Sequence, residues 1–181
     1  NGEGEGFFKV RYANGETFEG YFKKSLAEGK GKYLFKNQDL YEGEYKNGRC
    51  HGFGKLSFVS GNIYEGYFSD GEKNGKGKIV FANGSIYEGD FFNGKYEGKG
   101  VYVFASGAKY IGEFKDEKFE GKGKYYFADG SYYEGEFKND KFNGHAKYLN
   151  KNGDRYEGGY KKGLKDGFGT YLYSSGAKYV G

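Results

Sequence analysis

Cys50 and His51 are neighbours in a chain that holds one cysteine and two histidines, and they are its nearest approach to a metal-binding set. Thiolate and imidazole are ligands that zinc prefers, in tetrahedral sets of four. Two ligands cannot close such a site, so a structural zinc here requires a homodimer interface at which two copies each supply Cys50 and His51. The plainer reading is a small thiol beside an exposed imidazole in a hairpin turn. A single cysteine excludes an internal disulfide, which fits a reducing compartment.

Gly-x-Gly occurs at Gly29/Gly31, Gly52/Gly54, Gly75/Gly77, Gly98/Gly100, Gly121/Gly123 and Gly167/Gly169. Glycine pairs of this kind cradle phosphates, but none here opens a helical stretch, and no Gly-Lys is followed by Ser or Thr. Acid and base catalysis needs a few groups in distinct environments, whereas the carboxylates of this chain recur in equivalent positions. His51 and His145 stand far apart in the chain, with no nucleophile and base arrangement around either. The expectation is a protein that is not an enzyme and requires no cofactor.

Glycines, acids and lysines all keep one clock. An aromatic-Glu-Gly triplet returns every 23 residues: Phe18-Glu19-Gly20, Tyr41-Glu42-Gly43, Tyr64-Glu65-Gly66, Tyr87-Glu88-Gly89, Tyr110-Ile111-Gly112, Tyr133-Glu134-Gly135, Tyr156-Glu157-Gly158 and Tyr179-Val180-Gly181. A fixed period of this size means an array in which each unit covers the apolar surface of its neighbour. The expected organisation is one array of about eight repeats over residues 1–181, a piece of a longer array.

Composition agrees. Aliphatic residues are few, but 21 Tyr and 18 Phe supply large buried areas. Thirty-six glycines and no proline, in register with the aromatics, describe densely turned β structure. A net charge of +4 with interleaved signs gives no warrant for nucleic acid. No apolar run approaches a membrane span and no signal peptide is visible. Asn83-Gly84-Ser85 matches a glycosylation acceptor, but it is also a plain turn sequence.

Within one repeat, Tyr41-Glu42-Gly43-Glu44-Tyr45-Lys46 alternates with period two, placing Tyr41, Gly43 and Tyr45 on one face. Asn47-Gly48 accepts the positive φ values of a tight turn. Gly54, Leu56 and Phe58 then share a face, and Ser60-Gly61 turns into the next unit. Each repeat reads as a β-hairpin. The Tyr45 column continues as Phe68, Phe91, Phe114 and Phe137, a ladder of rings that forms either a binding groove or the packing core of the sheet. Ala146 in a glycine column and Asn150 in a ring column predict that their repeat is the least regular. Two strands per unit at ~4.8 Å predict a rod one sheet thick and roughly 75 to 80 Å long.

These segments, such as YEGEYKNGRCHGFGKLSF, YEGEFKNDKFNGHAKYL and YEGGYKKGLKDGFGTYLY, resemble MORN repeats, the membrane occupation and recognition nexus motifs. Phe or Tyr stands where many members carry Trp. The resemblance implies an all-β fold, an elongated, twisted, single-layer antiparallel sheet of tandem hairpins. It implies a scaffold or cytoskeletal role, or an array attached to an enzyme such as a lipid kinase or protein methyltransferase. The composition is most similar to the all-repeat scaffold proteins of apicomplexan and related protozoan parasites.

Glu19, Glu42, Glu65, Glu88, Glu134 and Glu157 alternate with Lys32, Lys55, Lys78, Lys124 and Lys147 on the face opposite the rings. The lysines could form an anionic-phospholipid stripe. Pairing each with a glutamate one strand away is the favoured reading, since that distance lies inside the ~8 Å screening length. The function expected is a cytoplasmic, homodimeric scaffold docking cytoskeletal or membrane-skeleton partners. The alternatives are a phospholipid-recognition module and a regulatory array of a larger enzyme.

Overall fold

Among the described residues, each β-strand but the last is followed in the chain by its own neighbour in the sheet. The computed structural model describes residues 4–181, and its sixteen strands lie in one sheet in chain order. The strands are β1 (Gly6–Arg11), β2 (Thr17–Lys23), β3 (Leu26–Leu34), β4 (Leu40–Lys46), β5 (Arg49–Ser57), β6 (Ile63–Ser69), β7 (Glu72–Val80) and β8 (Ile86–Phe92). They continue as β9 (Lys95–Val103), β10 (Lys109–Lys115), β11 (Lys118–Tyr126), β12 (Tyr132–Lys138), β13 (Lys141–Leu149), β14 (Arg155–Lys161), β15 (Leu164–Leu172) and β16 (Lys178–Val180). Contacts gather into two compact units, one holding the chain up to Gly84 with Asp90–Lys95, the other Ser85–Gly89 with Tyr96–Gly181.

Two kinds of turn join the strands. The first has two residues, both at positive φ, as in Asn47 (50°) and Gly48 (77°) between β4 and β5, or Asp116 (48°) and Glu117 (65°) between β10 and β11. That geometry matches the strand twist and selects Asn, Asp and Gly. The second spans five residues and is closed by a backbone bond such as Phe58 N–H to Asn62 carbonyl at 2.9 Å. A side chain at its end braces the turn of the next repeat: Asp39 accepts from the Val59 N–H at 2.8 Å, Asn62 from Ala82 at 2.9 Å and Asp154 from Ser174 at 2.8 Å.

The two glycines of each Gly-x-Gly do different work. The first sits where the register slips: on β4 and β5, Gly43 faces Gly54 but Tyr45 faces Cys50, and Gly52 between them takes a φ of 62°. This irregularity recurs in the first-turn hairpins of both units, and it bends the strand. The second glycine lies under a tyrosine ring. A Cβ on Gly54 would stand 2.6 Å from Tyr41 Cζ, and one on Gly77 would stand 2.5 Å from Tyr64 Oη.

Ala146 occupies that second position in β13 and is buried. Its hairpin nevertheless keeps the register of the others, and the turn at Asn150 closes normally, with Asn150 N–H donating to the Asp154 carbonyl at 2.8 Å. The expected irregularity is therefore absent from the pairing of this repeat, in which Ala146 faces Gly135, a residue with no Cβ to meet its methyl group.

Gly123→Ala would place a Cβ 2.6 Å from Tyr110 Cε2. The expected cost is about 1–3 kcal/mol from overpacking, measured as a lower urea midpoint at unchanged denaturant slope.

Candidate functional site

One face of the sheet is a closed herringbone of rings. Tyr41, Tyr64, Tyr110 and Tyr133 are at most 1% exposed. Each lies edge to face between two rings of the Tyr45 column: Tyr64 touches Phe68 at 5.1 Å and Phe91 at 4.9 Å, and Tyr110 touches Phe114 at 5.1 Å and Phe137 at 4.9 Å. This T-shaped geometry is favoured by the ring quadrupoles. The hydroxyls turn back onto the sheet, Tyr41 donating to the Glu44 carbonyl at 2.9 Å and Tyr133 to that of Glu136 at 2.7 Å. Tyr45, Phe68, Phe91, Phe114 and Phe137 are 3–7% exposed, so these five rings are packed rather than presented to a ligand.

A further column covers the core tyrosines. Tyr96 stacks on Tyr87 at 4.0 Å, Phe119 on Tyr110 at 3.8 Å and Phe142 on Tyr133 at 3.9 Å. In other repeats the same place holds Lys73, its ammonium 5.3 Å from the Tyr64 centroid, and Lys165, 4.4 Å from that of Tyr156. Sequence reading passed over this column because Ala27, Cys50, Lys73, Tyr96, Phe119, Phe142 and Lys165 share no residue type.

Cys50 thus belongs to the ring face, as the second residue of β5 and not in the turn, which is Asn47-Gly48. The turn needs only the two residues that take positive φ, so strand pairing resumes at once with Lys46 facing Arg49 and Tyr45 facing Cys50. Cys50 is half-buried, and burial raises its thiol pKa. Tyr45 Oη, buried without a hydrogen bond of good geometry, lies against it. His51 follows directly along the strand, so its side chain points to the opposite face. Among the described residues no group of three or more His, Cys, Asp or Glu could hold a metal ion.

The opposite face carries the alternating charges. Cross-strand register places Lys9, Glu19, Lys32, Glu42, Lys55, Glu65 and Lys78 side by side in the first unit. Ion pairs close at 3.1 Å for Lys9–Glu19, 3.0 Å for Lys32–Glu42 and 3.0 Å for Lys124–Glu134. These groups are 43–73% exposed, and pairs so open to water add little stability. In the second unit the row is interrupted by Val101 facing Ile111. His145 lies on this face too, its Nε2 3.6 Å from the Glu157 carboxylate that Lys147 approaches at 3.7 Å.

Among the hollows of the sheet, one of about 780 Å³ in the second unit is lined by His145, Lys147, Arg155, Glu157 and Phe168 among others. One of about 670 Å³ in the first unit has Phe7, Tyr21 and Phe53 in its wall.

Burial also sets an alkaline limit on the fold. It pushes Tyr133 up to about 12 and raises Tyr64 and Tyr110 further. An unfolded tyrosine ionises near pH 10, so above that pH the unfolded state holds fewer protons than the folded one. Stability should be flat below pH ~10 and then fall by about 1.4 kcal/mol per pH unit for each such tyrosine until its folded-state ionisation. Urea melts between pH 8 and 12, with tyrosinate absorbance followed in parallel, check this.

The comparisons with known proteins agree with this architecture. The MORN repeat family model matches seven consecutive segments, residues 18–40, 41–63, 64–86, 87–109, 110–132, 133–155 and 156–178. No curated protein sequence matches the chain. Among solved structures, the wild-type TCP10 domain of Danio rerio CPAP is similar at a TM-score of 0.55 and 12% identity, over 97% of this chain and 82% of that one. The G-box domain of the microcephaly protein CPAP is similar at a TM-score of 0.42 and 17% identity, over 97% and 98% of the two chains. At these identities the first likeness is one of fold alone. Seven matched repeats joined end to end, each one pair of strands with a tyrosine or phenylalanine ring laid over two small residues, place this chain in the MORN-repeat family.

Proposed function

We propose that the chain is a non-enzymatic scaffold that self-associates as a homodimer and docks cytoskeletal or membrane-skeleton partners in the cytoplasm. The observation that carries this reading is the contrast between its faces. The ring face is filled by its own side chains, whereas the opposite face is exposed, neutralised strand by strand through Lys–Glu pairs, and interrupted by uncharged side chains such as Ile111, Tyr67 and Phe168. Such a surface suits contacts between proteins, in which exposed aromatic anchors supply most of the binding energy. Among the described residues no helix is long and apolar enough to cross a membrane. Scaffold and cytoskeletal roles are also what family membership implies.

An anionic-phospholipid module is the competing reading, and the ion pairs weigh against it. A lysine already held by a glutamate at 3.0 Å offers a headgroup little net attraction beyond the ~8 Å screening length.

Co-sedimentation with phosphatidylserine vesicles over a salt series separates the two. The scaffold reading expects the chain to stay in the supernatant at physiological salt, and to scatter light as two chains whether or not a chelator is present. Retention on vesicles at physiological salt, with a single-chain mass, would replace it by the lipid module.

A further inference from the structure

The ammonium of Lys73 sits among three aromatic rings of the first unit, with centroids at 5.3 Å for Tyr64, 5.5 Å for Phe58 and 6.0 Å for Phe91. Tyr64 and Phe91 are buried, and the hydroxyl of Tyr64 anchors its ring by donating to the Tyr67 carbonyl at 2.9 Å. The walls of this cage are thus part of the packed core. Lys73 enters it from the strand position that faces Phe68 and remains half-buried.

Two repeats further on, equivalent walls hold a larger side chain. Phe119 takes the place of Lys73, stacked on Tyr110 at 3.8 Å, with Phe137 at 6.0 Å and Phe104 at 6.3 Å. In the following repeat Phe142 lies among Tyr133, Tyr160 and Phe127 at 3.9, 5.9 and 6.2 Å. The place is the size of a phenyl ring, which a bare ammonium underfills. A methyl carbon stands ~1.5 Å from its nitrogen and touches ring carbons at ~3.5–4.0 Å, so a methylated ammonium rests with its nitrogen about 5.0–5.5 Å from a ring. Lys73 already keeps that distance from Tyr64 and Phe58. Lys165 lies closer, 4.4 and 4.5 Å from the rings of Tyr156 and Tyr171, which suits an ammonium without methyl groups. On the opposite face Lys32 and Lys124 give N–H donors to carboxylates at 3.0 Å, and methylation would remove those donors.

We infer that Lys73 is a methylation site, and that its trimethylammonium is held in this cage by the chain's own rings. The methyl source is a methylsulfonium donor. At each transfer the ε-amine, having given a proton to solvent, attacks the methyl carbon; the N–C bond forms as the C–S bond breaks, and the thioether leaves. Three methyl groups enter and three protons depart, so the positive charge is kept. Hydration is what changes: a quaternary ammonium has no N–H to return to water, and the ring quadrupoles hold it at a smaller desolvation cost. Methylation fastens the hairpin of β6 and β7 to Phe91 of β8.

The inference goes beyond the scaffold reading and does not depend on it, since neither self-association nor docking enters it. Accurate-mass peptide analysis of the protein isolated from the cells that make it should find methyl groups on Lys73 and none on Lys32 or Lys124. An unmodified or acetylated Lys73, or methylation spread evenly over the three, overturns it. A second measurement tests the cage on the whole chain. Cys50→Ser with Lys73→Cys leaves one thiol, which is alkylated with bromoethylammonium, with bromoethyl-trimethylammonium or with the neutral tert-butyl analogue, and each product is melted in urea. The trimethylammonium product should have an unfolding constant about threefold smaller than the ammonium product, with the neutral analogue less stable than the trimethylammonium one. Equal stability of the two cations overturns the cage, and a neutral analogue as stable as the trimethylammonium would assign the gain to volume and overturn it too. Unchanged far-ultraviolet dichroism verifies the fold of the products; if the double variant does not fold, the peptide masses decide alone.

Discussion

A tyrosine ring lying flat over two facing glycines is the constraint from which the rest of this structure follows. The ring can reach the backbone only because neither glycine carries a Cβ, and its hydroxyl then finds the carbonyl three residues on, as Tyr64 does with Tyr67 at 2.9 Å. Close approach removes the ring from water and satisfies its one polar atom in the same movement. The bend at the preceding positive-φ glycine brings the next ring edge to face with it. Each hairpin therefore completes the packing of the one before, which is why stability in such arrays is a sum of units and interfaces.

Confining the rings to one face decides what the other face can be. With apolar burial complete on the ring side, the opposite residues are released to solvent, and alternation of Lys and Glu across strands lets the sheet stay neutral locally. Those pairs add little stability. Their consequence is local, since each carboxylate lies beside a lysine one strand away, and opposite charges that close largely cancel at a distance. The alternation fails at Phe7/Tyr21, Phe53/Tyr67 and Val101/Ile111, where uncharged side chains face each other instead.

The column above the core tyrosines shows how one backbone place accepts different chemistry. Phe119 and Phe142 stack on their tyrosines, while Lys73 and Lys165 set a cation over theirs; both contacts use the same ring face. Cys50 fills the equivalent place with a small thiol. Its thiol lies against Tyr41 and Tyr45.

The hairpin, its two-residue turn and the ring ladder were legible in the sequence because each obeys a local rule repeated at a fixed interval: period-two alternation, Asn-Gly at a positive-φ turn, an aromatic every 23 residues. Repetition turned weak local signals into a strong one. The register slip at Gly52, the role of Gly54 beneath Tyr41 and the placement of Cys50 on the ring face were not legible, because each depends on where a partner strand lies. The exposed aromatic pairs were hidden for the same reason: Phe53 and Tyr67 are fourteen positions apart in the chain, and only strand pairing makes them neighbours. Sequence alone determined the repeating unit, whose causes are local. Tertiary structure decided which side chains meet across strands, and with that which aromatics pack and which remain exposed.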